Sequence, residues 1–83
     1  MSMTWFVYAL RSQKDAGLYI GMTGDVKRRL AEHNRGYNRS TKSRRPFELM
    51  FVEELPSRQE ARQREKFFKT GQGRELLRRG SPA

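Results

Sequence analysis

LYIGMTGDVKRRLAEHNRG, Leu18 to Gly36, is the stretch whose reading decides the fold. Leu18, Tyr19 and Ile20 are strand formers that close on Gly21, a residue with no side chain, which lets backbone or ligand come close. The period then changes. Thr23, Gly24 and Asp25 are turn and N-cap residues, and the following residues place Val26, Leu30 and His33 at i, i+4 and i+7 along one helical stripe that faces a sheet. Gly36 is the stop signal, so the helix runs from Val26 to Arg35. At roughly 100° per residue, Arg28 points away from Val26 and Lys27 sideways, whereas Arg29 lies beside His33. Arg29 has two readings: a guanidinium held to grip an oxyanion in a fixed fork, or a snorkelling stem that covers the core.

Upstream, Thr4 to Arg11 (TWFVYALR) alternates Trp5, Val7 and Ala9 against Phe6, Tyr8 and Leu10, apolar on both faces. This pattern predicts a strand covered on both sides. The turn segment Ser12 to Gly17 leads back to Leu18, an antiparallel hairpin. With Leu10 opposite Gly17, Tyr8 falls opposite Tyr19 and two phenols stand side by side, either as a packed aromatic pair or as part of a site that Arg29 and His33 share.

Downstream, Gly36 to Pro46 (GYNRSTKSRRP) reads as a basic loop in which Tyr37 can stack on an unpaired base while cations meet phosphates; a surface loop with no dedicated partner is the plain alternative. Phe47 to Leu55 (FELMFVEEL) is a third strand. Ser57 with Glu60 three residues on is a capping box opening a helix to about Thr70, with Gly71 as its stop, and Ala61, Glu65 and Phe68 form its inward stripe. A last short helix covers Arg74 to Arg79 with Leu76 and Leu77 inward. A carboxylate amid an apolar stripe costs several kcal/mol unless a cation or metal meets it, so Glu65 needs a partner; Lys69, one turn on, offers a plain ion pair.

The chain has 83 residues, no cysteine and one histidine. These bounds predict one small α/β (α+β) domain over 1–83, core about 4–79, with a three-stranded antiparallel sheet flanked by helices. They exclude disulfides, zinc fingers and His-cluster metal sites; any metal is held mainly by oxygen. No long apolar span or signal-peptide pattern opens the chain, so it is expected to be cytoplasmic with no membrane partner. The net charge is +9. Between Lys27 and Arg45 it concentrates in eight bases (Lys27, Arg28, Arg29, Arg35, Arg39, Lys42, Arg44 and Arg45) against one acid, Glu32. Such a field suits a polyanion, most simply nucleic acid; an acidic protein partner for targeting is the other use of such a face.

Tyr8, Tyr19-Ile20-Gly21, Arg29, His33 and Glu65, in that order, resemble the GIY-YIG nuclease family over roughly Trp5 to Arg79, and the chain looks most like its short bacterial members, related to the nuclease domain of the excision-repair endonuclease subunit. The second tripeptide is intact, while in the first, Phe6-Val7-Tyr8, only the tyrosine agrees. The resemblance implies a divalent-metal-dependent endonuclease acting on nucleic acid, most simply DNA, with structure-selective cutting in repair or recombination as an expectation. It places Tyr8 and Tyr19 near the scissile phosphate, Arg29 on its charge, His33 in proton movement and Glu65 on one Mg²⁺ or Mn²⁺. Many members carry an amide residue near the domain's end, for which Gln72 is the candidate. A module that kept the fold and lost the chemistry is the rival reading.

Overall fold

The computed structural model describes residues 4–80. Its elements are β1 (Trp5–Ser12), β2 (Leu18–Thr23), α1 (Val26–Arg35), a 3-10 turn (Lys42–Arg44), β3 (Phe47–Leu55), α2 (Arg58–Phe68) and α3 (Gly71–Arg79). The sheet is antiparallel throughout, in the order β2-β1-β3. The α+β architecture of three strands and flanking helices follows the expectation.

Strand β1 is central, and its two apolar faces feed two cores. Val7 and Ala9 pack with Ile20, Ala61, Phe68 and Leu77 beneath α2 and α3. Tyr8 and Leu10 pack with Phe47, Tyr19, Val26 and Leu30 beneath α1. The first core is centred on Phe68, fully buried, with Phe51 and Phe67 edge-on at 5.1 and 5.2 Å between ring centroids. Truncating such a ring to Ala costs about 3–5 kcal/mol, a large share of the stability of a domain this small. Arg64 ties α2 to β3: its guanidinium bonds both Glu53 oxygens, at 2.7 and 3.3 Å, and lies 4.7 Å over the Phe68 ring. That fork with stacking is a geometry lysine cannot reproduce.

The hairpin register differs from the expected one. Tyr8 pairs with Gly21 and Leu10 with Tyr19. The cause is the turn. Strand β1 continues to Ser12, whose N–H donates to the Gly17 carbonyl at 2.9 Å, so the four residues Gln13 to Ala16 are looped out. The Ser12 hydroxyl oxygen accepts from the N–H groups of Lys14 and Asp15, and the Asp15 carboxylate accepts from Gly17 N–H at 2.7 Å. Ser12, Asp15 and their backbone partners thus stabilise a turn two residues shorter than Leu10 opposite Gly17 requires.

The boundary between the last two helices also moves. α2 ends at Phe68, and Thr70 is the N-cap of α3, its hydroxyl accepting from Gly73 N–H at 3.0 Å. Gly71 opens α3 instead of stopping α2. Gly73 is where the two helices touch: any side chain there would meet the backbone carbonyl of Phe67 and the Phe68 Cα. The other caps match the reading, with Asp25 accepting from Arg28 N–H, Gly36 closing α1, and Ser57 accepting from Glu60 N–H.

Candidate active site

Beneath α1, the sheet presents the Tyr8 and Tyr19 rings, their centroids 6.4 Å apart. They are neighbours on the diagonal instead of directly opposite, since residues two apart along a strand share a face. The Tyr8 side chain crosses Gly21: a Cβ there would lie 2.6 Å from the phenolic oxygen. The bare Gly21 backbone therefore lets the Tyr8 hydroxyl reach the β2 edge.

Helix α1 lowers His33 onto this pair. The imidazole is fully buried, lies 4.7 Å edge-on from the Tyr19 ring, and has Nε2 3.2 Å from the Tyr8 hydroxyl. Its other nitrogen, Nδ1, faces the Thr41 hydroxyl at 2.9 Å and the Asn38 amide nitrogen at 3.2 Å. Both ring nitrogens are therefore occupied, and one neutral ring can accept at one end while donating at the other. Burial, with the Arg29 charge nearby as a lesser cause, holds the His33 pKa below its ordinary 6.5. The imidazole is neutral at physiological pH.

Arg29 is half-buried, as its angle beside His33 requires. It donates to Glu32 at 2.8 Å, and its charge lies close enough to act on the Tyr8 phenol. The snorkelling reading captures its partial burial, but its head is engaged by the Glu32 carboxylate. Burial raises the Tyr8 pKa above the usual 10.0, the Arg29 guanidinium opposes that rise, and the neighbouring Tyr19 and the negative charge of Glu65 add to it. At neutral pH Tyr8 is a phenol.

Glu65 is the buried acid of α2, its side chain 10% exposed. Arg62 Nη1 lies 2.7 Å from one oxygen and Lys69 Nζ 3.2 Å from the other. The Lys69 pair raised by the spacing is therefore present, and Arg62 joins it. Both cations are about half exposed, 54% and 47%. Among the described residues no group of three or more His, Cys, Asp or Glu gathers as a metal site. Glu65 stands as a lone carboxylate.

The basic residues divide into free and engaged. Lys27, Arg35, Arg39 and Lys42 are exposed, as is Tyr37 at 69%. Arg28 is exposed but paired with Glu32 at 3.1 Å. Arg44 is a structural clasp: it donates to Asp15 at 3.1 Å and lies 5.7 Å over the Phe47 ring, while its carbonyl accepts from the Ser12 hydroxyl. Arg45 is half-buried, its guanidinium packed near Gly36. Gln72 is exposed on the first turn of α3.

Three site-supporting residues escaped the sequence reading. Thr41, fully buried, and Asn38 orient His33 from the loop that spacing alone presents as a basic surface. Asn34 accepts from Phe47 N–H at 2.7 Å and donates to Phe47 carbonyl at 3.0 Å, so α1 is fastened to β3. The only signal was chemical: short polar side chains that bond backbone at loop and helix ends.

Comparison with known proteins agrees with this geometry. The GIY-YIG catalytic domain matches residues 4–77. A UPF0213 protein of Nitratidesulfovibrio vulgaris is 47% identical over 58 residues, covering 69% of this chain and 52% of that protein. UPF0213 protein YazA of Bacillus subtilis is 42% identical over 65 residues, covering 77% of this chain and 65% of YazA. The chain thus spans about half to two thirds of the length of these two relatives. The solution NMR structure of UPF0213 protein BH0048 from Bacillus halodurans superposes with a TM-score of 0.56 at 35% identity, covering 90% of this chain and 82% of that one. The chain belongs to the GIY-YIG family of nuclease domains.

Proposed function

We propose that this chain is a divalent-metal-dependent endonuclease that hydrolyses phosphodiester bonds in nucleic acid, with DNA the favoured substrate and a cytoplasmic place of work. The observation that carries this reading is the convergence of Tyr8, Tyr19 and His33 in one cluster at the β2 edge, with Arg29 half-buried one turn earlier on the helix that carries His33.

The donor set fits one hard cation. Glu65 is a nearly buried carboxylate whose counter-ions are long, half-exposed side chains able to swing into water. Mg²⁺ and Mn²⁺ at phosphates take one or two carboxylates, water and substrate oxygens instead of a full protein cage. Such an ion, when bound, supplies positive charge to the phosphate oxygens and acidifies a water.

The chain's own residues carry the other tasks. Arg29, half-buried beside the site and held by Glu32, presents its guanidinium to the phosphate as negative charge grows. Tyr8 holds the attacking water by its hydroxyl and takes the proton as a phenolate, which its raised pKa makes scarce near neutrality until a cation is near. His33 meets the Tyr8 hydroxyl at Nε2 and the loop at Nδ1, a path by which the phenolic proton leaves. Tyr19 packs edge-on against the imidazole and keeps it in place.

Incubation with labelled flaps, forks, plain duplex, single strands and RNA, with and without Mn²⁺, tests the proposal. Metal-dependent cutting that Arg29→Ala abolishes is expected, with flaps and forks preferred. Binding of nucleic acid with no product under any metal would instead establish a non-catalytic module, the reading that the two cations on Glu65 favour.

A further inference from the structure

On the face of the sheet opposite α1, a groove of about 630 Å³ runs between Met22 of β2 and the outer side of α2, lined there by Arg58, Gln59, Arg62, Gln63 and Lys66. We propose that this groove is a second phosphate-binding tract, through which a nucleic acid lying on the Gly36–Pro46 loop continues past the site. The inference rests on the nucleic-acid reading above and extends it to a surface outside the basic run of Lys27 to Arg45.

The helix itself is the first argument. Arg58, Arg62 and Lys66 fall at i, i+4 and i+8, so they share one face at about 6 Å intervals. Gln59 and Gln63 flank them, and amide groups are regular donors to phosphate and sugar oxygens. No acid lines the groove. An ordinary solvated helix face mixes the two signs, and α2 does so elsewhere: Arg64 pairs with Glu53, and Glu60 is bonded to its own cap at Ser57. Among the described residues, Arg58 and Lys66, at the two ends of the groove, form no ion pair with an acid.

Position is the second argument. Met22 follows Gly21, over which the Tyr8 hydroxyl lies, and Arg62 reaches from the groove to Glu65 at 2.7 Å. The groove therefore opens beside the candidate site, across the β2 edge from α1 and its loop. A backbone held on the loop side alone is anchored at one end; cations on both sides fix the linkage between them.

The test is binding of a labelled duplex to the full chain without divalent ions, as a function of salt, so that no cleavage is needed. Arg58→Gln with Lys66→Gln is expected to weaken binding about tenfold and to flatten the slope of log K against log salt by roughly two, one per lost phosphate contact. Arg78→Gln with Arg79→Gln removes the same charge from α3 and is expected to leave affinity within about twofold. Because Arg58 lies 5.5 Å over the Trp5 ring, its loss can disturb the fold; Gln63→Glu, which keeps that contact and puts a negative charge between the cations, is expected to weaken binding similarly with an unchanged melting curve. Equal losses in the α2 and α3 pairs, or parental affinity in Gln63→Glu, overturn the tract while leaving the nuclease reading intact. Tight parental binding without cutting overturns the nuclease and leaves the tract standing.

Discussion

Gly21 lies opposite Tyr8 in the sheet, and a Cβ at Gly21 would come 2.6 Å from the Tyr8 hydroxyl. A glycine in a strand interior weakens it, and the contact gives the reason for one here: the phenol needs the space. Gly21→Ala is expected to fold with a melting temperature within a few degrees of the parent and to cut at least tenfold more slowly in single-turnover assays, because Tyr8 must turn away from Arg29 and His33. Parental rates in this variant would show that the hydroxyl's position is unimportant.

Glu65 poses a sharper contrast between stability and chemistry. Gln at this position keeps the shape, removes the charge and leaves Arg62 and Lys69, both about half exposed, to water. Pairs with such exposed cations are worth little, so thermal melting of Glu65→Gln should move by no more than a few degrees. Cleavage should fall about a hundredfold or more, and Mn²⁺ binding followed by electron paramagnetic resonance should weaken with it. A large loss of stability with unchanged Mn²⁺ binding would make Glu65 a structural acid.

His33 links the site to pH. Its folded pKa lies below the ordinary 6.5 because burial penalises the charged ring. The unfolded chain therefore binds the extra proton first as pH falls. The stability linked to His33 is fully present above the unfolded value and is lost as pH drops through the folded one. Melting temperatures measured from pH 8 to pH 5 should fall in the parent and fall less in His33→Gln. Parallel curves would mean that the ring carries no linked proton.

The sheet, all three helices and the buried stripe Ala61, Glu65 and Phe68 were legible because periodicity and caps are local signals that agree with one another. The register was not. Two residues of slip turn on how Ser12 and Asp15 bond the turn backbone, and a strand apolar on both faces tolerates either pairing, so the pattern had nothing to choose with. The same slip changed which residue faces Tyr8 without separating the two tyrosines, since both registers keep them on one face. Arg44 misled for a different reason: composition counts its charge, while only the fold brings Asp15 and Phe47 to it. Likewise, the basic outer face of α2 was overshadowed by the denser run before it.

Asn34 offers a test of whether the site depends on the fastening of its helix. Its amide exchanges two hydrogen bonds with Phe47 backbone, 2.7 and 3.0 Å, while the residue as a whole remains exposed. By exposure alone, Asn34→Ala should be nearly silent. Leaving both Phe47 groups without partners predicts instead a loss of about 1–2 kcal/mol, a melting shift of roughly 5–15 °C for a domain of this size. Because α1 also carries Arg29 and His33, the cleavage rate at a temperature where the variant is folded should drop severalfold. Asn34→Asp keeps the acceptor for Phe47 N–H and sets a carboxylate against the Phe47 carbonyl, so it should fall between parent and alanine in stability. If alanine costs stability but spares the rate, the helix is held in register by its apolar stripe of Val26 and Leu30 alone, and the clasp to β3 serves the fold without serving the chemistry.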